Sequence, residues 1–212
     1  MIKEQIKRFK EELPPNVSLV AVSKTKPSAM IQEAYNAGQR IFGENRAQEM
    51  AKKAQELPKD IEWHMVGHLQ TNKVKYIAPF VSLVHAVDSH NLLLEINKRA
   101  KKHERIIDCL VQIHIAEEES KHGILPVNVS QLLEKGKDMS NVNIVGLMGM
   151  ATFTNDKQKI KEEFNNLKKC FDDHKTEFNL KTLSMGMSGD YPIAIEAGSN
   201  MVRIGSSIFG KR

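Results

Sequence analysis

Cysteine is nearly absent: 2 occur in 212 residues, Cys109 and Cys170, far apart and without CxxC spacing. That excludes a disulfide framework and a zinc knuckle, and both are read as reduced packing residues. Aromatic residues make up only 6%, and no RRM-like or zinc-finger pattern accompanies them, which disfavours a nucleic-acid reader. Glycine and proline, 12 and 7 residues, are too few for a collagenous or low-complexity chain. The 41% hydrophobic content excludes disorder and allows a sizeable core. No long apolar run exists either. The longest, 144–153, falls far short of the about 20 residues that a membrane-spanning helix needs. The opening MIKEQIKRFKEELPP mixes both charge signs where a secretory signal needs an uninterrupted apolar stretch, so a cytoplasmic protein without a membrane partner is expected.

The net charge is +5, and its densest basic run is Lys98, Arg99, Lys101, Lys102, His103 and Arg105. This run closes a helical pattern, where cations offset the helix macrodipole, so it is read as a solvated helix end rather than a nucleic-acid surface.

What the chain does have is an alternation of short β-branched runs with helical periodicities from end to end. An opening amphipathic helix at 2–13 stops at Pro14 and Pro15. Strands are expected at 17–23, 40–43, 62–66, 81–87, 107–115, 144–150, 182–185 and 201–204. The helices between them are expected at 28–37, 46–57, 71–77, 89–102, 129–139, 156–173 and 191–197, with a last turn over 205–209. Eight βα units without a linker fit an α/β fold: a single (β/α)8 TIM barrel domain over 1–212 with an extra N-terminal helix. An open doubly wound sheet is the alternative.

In such a barrel the chemistry sits at the C-terminal strand ends, with phosphate beside the loops after strands seven and eight. Strand one ends in Ser23, Lys24, Thr25, Lys26 and Pro27. Lys24 shares its pointing parity with Val20 and Val22, so an inward face for these valines sends Lys24 into the barrel mouth. A lysine snorkelling to water fits the spacing equally well. Arg203 lies among apolar neighbours and needs an anion or an acceptor. Gly205 and Ser206 open a turn whose N–H groups suit a phosphate. Strand seven leads through Ser184 to Ser188, a hydroxyl beside the same place. The bland alternatives are an arginine paired to a carboxylate, glycines that turn the chain, and a capping serine.

Other signals fail. GSSIFGK at 205–211 starts like a P-loop, but Arg212 replaces the required Ser/Thr and no helix follows. No GxGxxG occurs. His64 and His68 lack the glutamate of a zincin, and core packing or a helix cap is expected for both. Glu117, Glu118 and Glu119 are read as a solvated loop, so no metal site is expected.

The segments AVSKTKP (21–27), FGEN (42–45), WHMVGHLQTNK (63–73), SKHGI (120–124), GLMGM (146–150), LSMGMSGD (183–190) and GSNMVRIGSSIFG (198–210) together resemble the pyridoxal phosphate homeostasis protein family. The resemblance spans essentially the whole chain, in order; Ser206 stands where threonine is commoner. It implies the barrel of the alanine racemase N-terminal domain and the cofactor pyridoxal 5′-phosphate (PLP), held as a Schiff base on Lys24. It further implies that Ser188, Gly205 and Ser206 hold the phosphate, that Arg203 faces the pyridine nitrogen and that Asn45 lines the mouth. Alanine racemase brings a tyrosine base to the other cofactor face from a second domain, which is not expected here, and Tyr35, Tyr76 and Tyr191 all fall in helical stretches. The expected function is therefore a monomeric PLP carrier without turnover, serving vitamin B6 and amino-acid homeostasis and PLP-dependent client enzymes. A PLP-dependent, racemase-like amino-acid enzyme is the alternative.

Overall fold

The structure is a computed structural model describing residues 1–118 and 120–210; Glu119, Lys211 and Arg212, which end the glutamate run and the P-loop-like segment, lie outside the described residues. Eight parallel strands pair in chain order: β1 (Ser18–Val22), β2 (Ile41–Glu44), β3 (Glu62–Met65), β4 (Leu83–Val87), β5 (Ile107–Ile113), β6 (Val142–Gly149), β7 (Thr182–Met187) and β8 (Met201–Ile204). β8 returns to β1, with Ser18 opposite Met201 and Ala21 opposite Ile204, so the sheet is a closed barrel rather than an open one.

The first helix, α1 (Ile2–Glu12), precedes the barrel and buries Ile2, Ile6 and Phe9. At about 1.5–3 kcal/mol for each buried side chain, this stripe holds the helix against its neighbours. Pro14 keeps Leu13 extended at φ −76°, ψ 137° and ends the helix. Each strand then leads into a helix: α2 (Ser28–Asn36), α3 (Ala47–Glu56), α4 (Val74–Ile77), α5 (His90–Lys102), α6 (Val129–Lys137), α7 (Lys157–Lys175), α8 (Tyr191–Glu196) and α9 (Ser206–Phe209). Short 3-10 turns at Thr71–Lys73 and Pro126–Asn128 introduce α4 and α6.

The apolar side chains form two layers. The larger lies between strands and helices, and a smaller one inside the barrel joins Val20, Val66, Leu83, Ala86, Leu110, Met148 and Met201. Val20 therefore points inward, as the parity reading of β1 requires. The basic run falls where a solvated helix end was expected. Arg99, Lys101 and Lys102 occupy the last turn of α5, Arg99 pairs with Glu95, and Arg105 donates to the carbonyls of Ala78 and Val81. Cys109 and Cys170 are buried free thiols, and burial pushes both up, Cys170 to about 11.

Every strand but β8 differs from the sequence pattern by one or two residues at an end, and β4 starts at Leu83 rather than at 81. β6 begins two residues early, at Val142, because Asn143 Nδ2 donates to Asp108 Oδ1 at 2.8 Å and carries the β5 ladder across a polar step. β7 continues to Met187 through Gly186, whose φ of +95° reads in sequence as a turn. β5 ends at Ile113, and beyond it Ile124 bridges back to the strand.

Gly146 sits where β6 and β7 first pair, and a Cβ there would stand 1.8 Å from the carbonyl oxygen of Thr182. Gly146→Ala should therefore cost more than about 3 kcal/mol in chemical denaturation, beyond ordinary overpacking. Gly189→Ala, where a Cβ meets nothing within 4 Å, should stay near wild type. Equal stability of the two variants would contradict the tight β6–β7 approach.

Candidate functional site

At the C-terminal ends of the strands a cavity of about 570 Å³ opens. The six residues expected at the site, Lys24, Asn45, Ser188, Arg203, Gly205 and Ser206, all line it, together with Lys26 and Lys121. Lys24 lines it beside Val22. Four cationic side chains against one carboxylate, Asp190, make this a cavity for an anion.

Arg203 is 4% exposed and, among the described residues, has no carboxylate in hydrogen-bond contact. Its Nη1 donates to the carbonyl and the hydroxyl oxygen of Ser184, at 2.8 and 2.6 Å, and Nη2 donates to the carbonyl of Gly149 at 2.9 Å. Burial lowers the guanidinium pKa to about 10, which still leaves it charged at neutral pH. Ser184 Oγ already accepts from Arg203, so its own proton is available to His85 Nδ1, 3.1 Å away. That assignment leaves His85 Nε2–H to donate to His64 Nδ1 at 3.0 Å. Burial keeps both rings neutral, lowering His64 to about 3 and His85 well below its ordinary value. The barrel interior beneath the mouth is thus a directional chain from Arg203 through Ser184 to the two histidines.

A second network fixes the loop that carries Lys24. Thr25 adopts φ +65°, a costly conformation for a β-branched residue. Its N–H donates to Glu49 Oε1 at 2.7 Å. Lys53, one helical turn after Glu49 on α3, donates to Glu49 Oε1, Glu44 Oε1 and the carbonyl of Ser23 at 2.8, 2.7 and 2.9 Å. Ser23 Oγ donates to the same Glu44 oxygen at 2.5 Å. Burial raises the Glu44 carboxyl against the pull of Lys53 and Ser23. None of these residues stands out in the sequence beyond the i, i+4 pairing of Glu49 and Lys53.

The ends of β7 and β8 are joined by Gly205 N–H, which donates to Ser188 Oγ at 3.2 Å. Gly205 packs closely on β1, since a Cβ there would stand 3.2 Å from the Val22 carbonyl. The next N–H groups open α9 and have no intrahelical acceptor. Asp190 accepts the Met187 N–H at 2.5 Å, and burial raises its pKa.

Two expectations need correction. His64 is core, but His68 is neither core nor helix cap: it is half-exposed, pairs with Asp88 and stacks on His122. The glutamates are not merely solvated. Glu118 accepts the Phe153 N–H at 2.9 Å and the Lys121 ammonium at 2.9 Å, which bring its carboxyl down to about 2, and Glu117 pairs with Lys159. They tie the loop after β5 to the loop after β6 and to α7.

The histidine pair predicts a pH dependence. Well above pH 6.5 both imidazoles are neutral whether the chain is folded or not. Below it the unfolded chain takes up protons that the fold refuses down to about pH 3 for His64. Stability should fall as pH drops from 6.5 to 5, with a slope approaching about 1.4 kcal/mol per pH unit for each histidine. His64→Gln should halve this slope in urea denaturation, and an unchanged slope would contradict the neutral buried pair. Lys53→Met should lower stability by about 3–5 kcal/mol, because it strands the buried Glu44 carboxylate. A loss below about 1 kcal/mol, the range of an exposed pair, would mean that Lys53 does not hold the loop.

A family model of the alanine racemase N-terminal domain matches residues 1–212. The pyridoxal phosphate homeostasis protein of Aquifex aeolicus (strain VF5) is 42% identical over 197 residues, covering 92% of this chain and 86% of that protein. That of Vibrio alginolyticus is 39% identical over 205 residues, covering 94% and 88%. The structure of PipY from Synechococcus elongatus PCC7942 without PLP has a TM-score of 0.94 at 34% identity, covering 99% of this chain and all of that one. PipY with PLP bound has a TM-score of 0.91 at the same identity and coverage. Alanine racemase of Clostridium difficile 630 shares the fold, with a TM-score of 0.80 at 15% identity, and this chain covers 56% of it. Matched along nearly its whole length in sequence and in structure, the chain belongs to the pyridoxal phosphate homeostasis protein family and is built on the barrel of the alanine racemase N-terminal domain.

Proposed function

We propose that this barrel binds PLP in the mouth cavity and holds it reversibly as a Schiff base on Lys24, without turnover of its own. The observation that carries this reading is the placement of a lysine, a buried arginine and the Ser188–Gly205–Ser206 turn around one cavity. The donor set fits the cofactor: an amine suits its aldehyde, hydroxyl and backbone N–H groups suit its phosphate, and the volume lies within the range of cofactor sites. The binding of PLP by PipY, alike over its whole length, supports the same reading. When bound, PLP supplies an electrophilic aldehyde carbon and an aromatic ring able to delocalise charge.

In this reading Ser188, Gly205 and Ser206 hold the phosphate, Asn45 lines the mouth, and Arg203 faces the ring nitrogen. A guanidinium in that place disfavours a protonated ring and weakens it as an electron sink. Proton transfer on a second face also wants an acid or base, and among the described residues no tyrosine lines the cavity. Tyr35 is bonded to Asp60, Tyr76 lies near Lys73 and Lys75, and Tyr191 packs edge-on against Phe9. The relatives' shared designation as homeostasis proteins supports the carrier role. We extend it to a cytoplasmic monomer whose single barrel domain serves PLP-dependent client enzymes and the amino-acid pool, without nucleic-acid or membrane partners.

Titration of the purified protein with PLP should produce a visible imine absorption band in wild type and none in Lys24→Ala. Ser188→Ala and Ser206→Ala should keep the band with dissociation constants raised roughly tenfold or more, from the loss of about 1.5–3 kcal/mol of charged hydrogen bonding. A band that survives in Lys24→Ala would refute the assignment. Lys24-dependent, multiple-turnover deuterium exchange at an amino-acid α-carbon would instead establish the racemase-like enzyme.

A further inference from the structure

On the rim of the barrel mouth, the loops after β3, β4 and β5 bring His68, Asp88 and His122 together. One ligand-capable atom from each lies within 4.8 Å of the other two. The His68 and His122 rings stack at 3.9 Å between centroids with 13° between planes. We propose that these three side chains form a binding site for a divalent first-row transition metal, with zinc the best match, separate from the residues assigned to PLP.

The donor set points to this class. Two imidazole nitrogens and one carboxylate oxygen suit a borderline ion and disfavour magnesium or calcium, which prefer all-oxygen shells. Three protein ligands also leave a fourth position open to water or a small ligand. The distances agree. His68 Nδ1 and Asp88 Oδ2 are 3.3 Å apart, long for a charge-assisted hydrogen bond but equal to the edge of a tetrahedron with bonds of about 2.0–2.1 Å. As a plain surface ion pair the same contact would contribute almost nothing.

The backbone is set and the rings are free to adjust. Gly67, before His68, lies so close to β2 that a Cβ would stand 2.6 Å from the Asn45 carbonyl. Gly123, after His122, has φ +137° and a Cβ there would stand 2.6 Å from the His114 nitrogen. The His122 carbonyl also accepts from the buried Gln112 Nε2 at 2.7 Å. Only the imidazoles remain to be aligned. A metal must lie in the plane of each ring it binds, and two nearly parallel rings do not meet that condition, so one ring turns about its Cβ–Cγ bond on binding. Both histidines are exposed, so the turn gives up their mutual stacking and moves the ring toward solvent.

The test is zinc binding to protein dialysed against EDTA and free of PLP, by competition with a chromophoric chelator, with cobalt(II) absorption as a second readout. Wild type should bind one ion per chain. His68→Ala, Asp88→Ala and His122→Ala should each weaken binding about tenfold or more and abolish the cobalt spectrum, with metal-free melting temperatures unchanged. Lys24→Ala should keep zinc while losing PLP, so the failure of either reading is seen separately. Absence of saturable one-to-one binding, or affinity unchanged in all three variants, would overturn the site.

Discussion

A buried guanidinium sets the terms for the mouth of this barrel. Arg203 at the end of β8 is a full charge removed from water, and such a group must find oxygen acceptors or destabilise the fold. It finds them on the two preceding strands, at Gly149 on β6 and Ser184 on β7. Those acceptors are neutral, so the charge is offset only by the nearby Asp190 carboxylate, which lines the same cavity. Below it, Ser184, His85 and His64 continue the hydrogen bonding into an interior that would otherwise be filled by apolar side chains.

The neighbouring strand solves a different problem. Lys24 has to emerge at the end of β1 just before Thr25 turns into a positive φ, which costs energy and needs outside support. Glu49 supplies it from α3, and Lys53 ties that carboxylate to Glu44 and Ser23. The hydrogen bonds of Arg203 and those that fix the loop carrying Lys24 involve different residues. Both side chains line one cavity because β8 pairs with β1, with Val20 opposite Arg203.

Much of this was legible in the sequence, for identifiable reasons. The order of strands follows from βα alternation, and the parity of Lys24 with Val20 and Val22 admits a place at the mouth without excluding a lysine that snorkels to water. Arg203 was recognisable as a cation inside an apolar run. Its acceptors were not, because they are two carbonyls and a serine hydroxyl that come near only when the barrel closes. The pairing of His85 with His64 and Ser184 crosses from β4 to β3 and β7, and no local spacing encodes it. Likewise Gly186 suggested the end of β7, although its positive φ is accommodated within the strand. His68 was misread because its partners, Asp88 and His122, come from other loops.

The central claim is that the lysine placed by β1 carries the cofactor. Borohydride reduction of the PLP-loaded protein followed by peptide mass mapping tests it most directly, because reduction fixes the cofactor on whichever amine holds it. The account predicts a single modified residue, Lys24. Modification confined to Lys26 or Lys121, the other lysines lining the cavity, would contradict it.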